Sequence, residues 1–241
     1  MITARNAAMA FNRYIDRYID TKNPRTAVRE IPSGIIKSKN ALVFVLINVI
    51  LFIATTYFLN PLCFYLSPVA LMVVLGYSFT KRFTALCHLI LGLGLAIAPV
   101  GAYLAVTATV DLLPVFYGLT VLFWVAGFDI IYALQDEDFD KEYYLYSIPA
   151  TFGKGRSLKI SEIFHLLSAL FLILAAWILS ESYINVGIIQ WIGVAFFIAL
   201  LYYQHTIVSA KDLSRINKAF FTTNGVASIV FGGLLIYDLI V

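Results

Sequence analysis

Seven long apolar runs, each closed by a short polar or proline-containing break, organise the chain. They lie near 41–59, 62–79, 84–106, 114–134, 159–179, 187–208 and 218–240. The breaks hold Asn60-Pro61, Lys81-Arg82, Asp111 with Pro114, Glu181-Ser182, and the stretch from Lys211 to Lys218. A bilayer core of about 30 Å is crossed by roughly 20 apolar residues in helical form, because lipid offers the backbone no hydrogen-bond partner. The pattern predicts an all-α, multi-pass transmembrane helical bundle of about seven full spans. Residues 1–20 carry only a small apolar patch, Ala7 to Phe11, and predict a partial N-terminal helix that does not cross alone. Arg5, Arg13, Arg17, Asp16 and Asp20 interrupt that stretch, which therefore lacks the continuous core of a secretory signal.

Composition fits the pattern. Of 241 residues, 61% are hydrophobic and 13% charged, and mean hydropathy is +0.87. Soluble domains carry about 25% charged residues, so a water-soluble fold is excluded. The net charge of +3 matters less than its distribution. Threading the spans in order puts segments 20–40, 80–83, 135–158 and 209–218 on one side, and 60–61, 107–113 and 180–186 on the other. The first set holds Lys22, Arg25, Arg29, Lys37, Lys39, Lys81, Arg82, Lys141, Lys154, Arg156, Lys211, Arg215 and Lys218, whereas the second holds no Lys or Arg. Such asymmetry follows the positive-inside rule. It places the first set in the cytoplasm and the protein in the cell (inner) membrane, with the bilayer as partner and no nucleic acid expected. Cys63 and Cys87 fit neither a metal site nor a disulfide framework and read as small core residues.

Two acidic clusters break the apolar pattern at helix ends. In Asn12-Arg13-Tyr14-Ile15-Asp16-Arg17-Tyr18-Ile19-Asp20, the residues Asn12, Asp16 and Asp20 recur every four positions and share one helix face. In the stretch from Asp129 to Asp140, the residues Asp129, Tyr132, Asp136 and Asp140 fall on one face at steps of three, four and four. Both clusters end a helix on the predicted cytoplasmic side. Clustered carboxylates repel unless a cation sits between them. Hard oxygen donors suit Mg²⁺, which bridges one or two carboxylates to substrate phosphates. Arg25, Arg29, Lys81, Arg82 and Lys141 lie close by in sequence; arginine grips phosphate through paired donors and lysine acts as a point charge. Together these describe a diphosphate site, with apolar helices behind it for a long hydrocarbon tail.

The same residues resemble the UbiA superfamily of intramembrane aromatic prenyltransferases. Residues 12–20 are similar to its first aspartate-rich motif, NDxxDxxxD, with Arg13 in place of the second residue. Asp129 to Asp140, followed by Ser147-Ile148-Pro149-Ala150 and Phe152-Gly153, resembles the second motif. Asn23-Pro24-Arg25-Thr26 with Arg29 resembles the basic loop between helices, and Tyr77 through Lys81 the YxxxK loop. Leu91-Gly92-Leu93-Gly94 through Ala98-Pro99-Val100-Gly101 matches the next helix. Coverage runs from residue 3 almost to the end, and the likeness is strongest to 4-hydroxybenzoate polyprenyltransferase-like members. The family's nine helices would place the first, and the front of the second, before residue 1. The chain thus reads as one prenyltransferase domain, 1–241, shortened at its N-terminus relative to the family.

The resemblance implies Mg²⁺-dependent transfer of a polyprenyl group from polyprenyl diphosphate to an aromatic acid acceptor, 4-hydroxybenzoate or a related precursor of ubiquinone or menaquinone. Asn12, Asp16, Asp20, Asp136 and Asp140 would hold the metal. Arg25, Arg29, Lys81 and Lys141 would hold the diphosphate. Tyr77 and Tyr132 would shield an allylic carbocation, and Asp129 would orient the acceptor or take its ring proton. His88, His165 and His205, in separate helices without ligand spacing, read as core histidines; Gly92, Gly94 and Gly101 read as packing positions, and Asn217 and Asn224 as polar links to neighbouring helices. Two alternatives remain: an ion-coupled transporter with carboxylates on its pathway, and a shortened chain that binds prenyl diphosphate without turnover. The transporter would favour carboxylates near mid-membrane and an inverted repeat, and neither is visible.

Overall fold

The computed structural model describes residues 1–183 and 186–240; the connection around 180–186 therefore lies partly outside the described residues. The elements are α1 (Ile2–Asp20), α2 (Ser38–Leu59), α3 (Pro61–Thr80), α4 (Cys87–Thr107), α5 (Leu112–Ala133), α6 (Glu137–Glu142), α7 (Ile148–Ser182), α8 (Ile188–Ile207) and α9 (Thr223–Ile240). A 3₁₀ turn, Leu134–Asp136, joins α5 to α6, and a π-helical turn, Lys218–Thr222, leads into α9. Seven helical stretches among the described residues are long and apolar enough to cross a membrane. The protein is a multi-pass, all-helical membrane bundle, as the hydropathy pattern predicts.

The breaks work as caps. Asn60 ends α2 and starts α3: its side-chain oxygen accepts the Cys63 N–H at 2.9 Å while its amide donates to the Leu104 carbonyl at 2.8 Å. Pro61 fills the first helical position, where no N–H is needed. Asp111 caps α5 and Ser147 caps α7 in the same way. At the far end, Asp238 of α9 accepts the Gly187 and Gln190 N–H groups and so caps α8 from outside the helix.

Packing runs in chain order. The helix α1 lies on α2 and α3, α3 on α4, α4 on α5, α5 on α7, α7 on α8 and α8 on α9. Small residues make the α4–α5–α7 contacts close, as expected where no hydrophobic effect drives helices together in lipid. A Cβ on Gly92 would fall 2.3 Å from the Leu122 carbonyl oxygen, so α4 and α5 touch backbone to backbone. Ser161 and Ser168 of α7 donate to the Gly127 and Thr120 carbonyls of α5. Gly101, by contrast, faces open space and does not serve as a packing position. Gly92→Ala is expected to cost about 2 kcal/mol or more, because the obstructing atom is backbone and cannot rotate away; thermal unfolding in detergent, with Gly101→Ala as the neutral control, measures it.

Two elements differ from the hydropathy reading. The helix α7 begins at Ile148, not near 159, because polar residues continue the helix beyond the apolar run; it bends at Gly153, whose φ of +76° only glycine adopts readily. The second acidic cluster is not one continuous helix face. The 3₁₀ turn tightens the chain between Ala133 and Glu137, and Asp140 sits on the separate short helix α6.

Candidate active site

The ends of α1, α3 and α5, the start of α4, the 3₁₀ turn and α6 surround an open cavity of about 270 Å³. Both acidic clusters reach it. Asn12, Asp16 and Asp20 enter from α1, Asp129 and Tyr132 from α5, Asp136 from the turn and Asp140 from α6. Arg25 and Arg29 come from the connection after α1, and Tyr77 and Lys81 from the end of α3. Asp16 and Asp140 thus face one space rather than opposite ends of the bundle.

Carboxylates and cations alternate around the wall. Asp16, 1% exposed, accepts from Lys81 at 2.7 Å and from Arg82 at 3.0 Å. Asn12 donates to the same carboxylate at 3.2 Å. Asp20 takes both its bonds from Nη1 of Arg29, at 2.9 and 3.0 Å. Asp136 is clasped by Arg25 through Nε at 2.9 Å and Nη2 at 2.5 Å, with Asn23 adding a third bond. The other amino group of Arg25 reaches the Tyr132 hydroxyl at 3.0 Å. Burial pulls the Arg25 pKa down, but the hydrogen bonds and charge of Asp136 outweigh it and hold the guanidinium above its ordinary value. Tyr132 is stacked on Phe220 with ring centroids 4.1 Å apart, so its face is held rigidly at the cavity.

Lys141 does not join this ring. It pairs with Glu137 one turn earlier on α6 and is not among the cavity-lining residues. Three residues given no site role from the sequence also take part: Asn23 and His88 line the cavity, and Arg82 bonds Asp16 without lining it. Arg82 stands next to Lys81 in the sequence, and Asn23 two residues before Arg25, so adjacency was their signal. His88 reads as a core histidine in sequence, but its ring bonds to Asp129 at 2.7 Å and lines the cavity. Its only sequence signal was a polar side chain opening an apolar span. The other two histidines meet each other at 2.8 Å between α7 and α8, away from the cavity.

The donor set bears on metal binding. Four carboxylates and an amide supply hard oxygen, which suits Mg²⁺. Among the described residues no three acidic, histidine or cysteine groups converge tightly enough to hold an ion by themselves. The donors therefore fit a metal that completes its shell with water and substrate phosphate.

A membrane bundle with paired aspartate-rich helix ends and interleaved arginines is an arrangement suited to a diphosphate and its metal. The model described as the UbiA prenyltransferase family matches residues 1–226, and the chain belongs to that family; it is a prenyltransferase. A curated relative from Nitrosomonas eutropha, a 4-hydroxybenzoate octaprenyltransferase, is 31% identical across 99% of this chain and 82% of its own. The protein of the same name from Tolumonas auensis is 28% identical across 96% and 79%. Among solved structures, the apo UbiA homolog from Aeropyrum pernix K1 superimposes with a TM-score of 0.89 at 30% identity, covering 99% of this chain and 86% of that one. The Archaeoglobus fulgidus homolog bound to DMAPP and Mg²⁺ shares the fold with a TM-score of 0.75 at 18% identity, over 99% and 86%.

Proposed function

We propose that the protein transfers a polyprenyl group from its diphosphate to a hydroxylated aromatic acid of the 4-hydroxybenzoate kind, a quinone precursor, in a site facing the cytoplasm. The observation that carries this reading is the cavity wall itself, where Asp16, Asp20 and Asp136 alternate with Lys81, Arg29 and Arg25. The names of the relatives supply the acceptor class, and the Archaeoglobus protein, seen with DMAPP and Mg²⁺, the ligand class. The cytoplasmic side is supported by the basic residues Arg25, Arg29 and Lys81 that line the cavity, since basic segments favour the cytoplasm.

Asn12, Asp16, Asp20, Asp136 and Asp140 would hold Mg²⁺, which when bound neutralises charge on the departing diphosphate. Arg25, Arg29 and Lys81 grip the phosphate oxygens and stabilise the charge that develops as the C1–O bond breaks. The electron pair of that bond leaves with the diphosphate. Tyr77 and Tyr132, which line the cavity, would shield the allylic cation left on C1 through their ring faces. A ring carbon beside the phenolic hydroxyl of the acceptor bonds to C1, and Asp129 orients that hydroxyl or takes the displaced ring proton.

Membranes containing the protein, offered a mixture of polyprenyl diphosphates and aromatic acids with Mg²⁺, are expected to yield a prenylated hydroxybenzoate or hydroxynaphthoate by mass spectrometry. Uptake of substrate into vesicles without a new product would favour transport instead. Binding of prenyl diphosphate without product would leave only a binding protein.

A further inference from the structure

His88 is the second residue of α4, is 3% exposed, and is bonded at both ring nitrogens. Its Nε2 faces the Ile148 N–H at 3.3 Å, and its Nδ1 lies 2.7 Å from Oδ2 of Asp129. A backbone N–H only donates, so Nε2 presents its lone pair and the ring proton sits on Nδ1. The imidazole therefore donates to the carboxylate. Ile148 opens α7, and a first-turn amide has no acceptor within its own helix; the ring satisfies it. One side chain thus ties the start of α4 to the end of α5 and the start of α7, and it cannot rotate without losing a bond.

The consequence falls on Asp129. The carboxylates of Asp16, Asp20 and Asp136 are each held by a lysine or arginine, whereas Asp129 is held through one oxygen by the imidazole alone. Its side chain is about a quarter exposed, at 24%, lines the cavity, and makes no other hydrogen bond among the described residues. One oxygen is fixed and the other is left for an occupant of the cavity. A carboxylate oxygen without a partner accepts hydrogen bonds and repels anions, so it selects a hydroxyl and turns away a carboxylate.

We propose that His88 is the positioning residue for the acceptor: anchored on Ile148, it aims the free oxygen of Asp129 at the phenolic hydroxyl of the aromatic substrate. This rests on the aromatic-acceptor reading above. It orients the acceptor with its hydroxyl toward α4 and α5 and its carboxylate elsewhere.

Two variants separate positioning from structure. His88→Gln keeps an acceptor for Ile148 and a donor for Asp129; His88→Leu fills similar space and keeps neither. In membranes at saturating prenyl diphosphate, His88→Leu is expected to raise the acceptor KM about tenfold or more, with the prenyl diphosphate KM within about twofold of wild type and His88→Gln within about threefold on both. Equal movement of both KM values, or no selective rescue by glutamine, overturns the proposal. Nitrogen-15 NMR of histidine-labelled protein reads the ring directly: the resonance lost in His88→Leu should be an Nδ1–H tautomer, and an Nε2–H tautomer overturns it. Wild-type failure with every phenolic acceptor removes the aromatic reading and this proposal with it. Wild-type turnover with an unchanged acceptor KM in His88→Leu removes this proposal alone.

Discussion

Asp16→Ala is expected to lower Mg²⁺-dependent prenyl transfer by about three orders of magnitude or more, the loss that follows when a carboxylate central to transition-state charge stabilisation is removed. Asp16 is the most deeply buried carboxylate of the cavity wall and binds Lys81 and Arg82 together. Removing it leaves two cations facing each other with no anion between them. Breaking a fully buried pair costs about 3–5 kcal/mol, but Lys81 and Arg82 remain 30% and 32% exposed, so solvent screening reduces the expected loss to about 1–2 kcal/mol. Asp16→Asn separates the two effects, since it keeps the shape and a hydrogen-bond acceptor while losing the charge. Transfer rates in membranes and thermal unfolding of the purified protein measure both. Full turnover in the alanine variant would remove Asp16 from the site.

The alternation of charges would let a prenyl diphosphate and its metal share one cavity that neither would suit alone. A free divalent ion would compete with arginine and lysine for Asp16, Asp20 and Asp136, and a free diphosphate would meet those carboxylates at Arg25, Arg29 and Lys81. With both present, Asp16, Asp20 and Asp136 would turn to the metal and Arg25, Arg29 and Lys81 to the phosphates. Held by Asp20, Asp136 and Asp16, the cations are already oriented, so little conformational freedom would be lost on binding.

Much of this was readable along the chain, for physical reasons that differ from residue to residue. The seven crossings are legible because lipid demands about 20 uninterrupted apolar residues for each, and the basic segments check their order. The face of Asn12, Asp16 and Asp20 is legible because α1 is a regular helix. The second cluster reached the cavity for a reason that spacing does not contain: a 3₁₀ turn and a separate short helix re-aim Asp136 and Asp140 after α5 ends. The start of α7 was hidden because hydropathy reports lipid contact, not helical hydrogen bonding, and its first turns lie outside the apolar run. Sequence proximity also misplaced a cation. Lys141 follows Asp140 directly, but on α6 it is one turn from Glu137 and pairs there. His88 was hidden most completely, since its partner is 41 residues away on another helix.

Asp140→Ala should give a different result from Asp16→Ala, and the contrast tests which carboxylates serve only the reaction. Asp140 lines the cavity but takes part in no ion pair among the described residues. Removing it leaves no cation stranded and relieves repulsion from Asp136. Its loss should therefore cost less than about 0.5 kcal/mol of stability, or add to it, as happens where a site holds charge for function rather than for folding. Transfer should nonetheless fall about a thousandfold, because the metal would lose one of its proposed oxygen ligands. Thermal unfolding with Mg²⁺ and inorganic pyrophosphate supplies the second readout. Ligands that bind only the folded protein raise its unfolding temperature, so wild type should gain stability with both together and Asp140→Ala should gain little. An Asp140→Ala protein that is destabilised as much as Asp16→Ala, yet keeps its response to Mg²⁺ and pyrophosphate, would mark Asp140 as a structural residue and shift the metal toward Asn12, Asp16, Asp20 and Asp136.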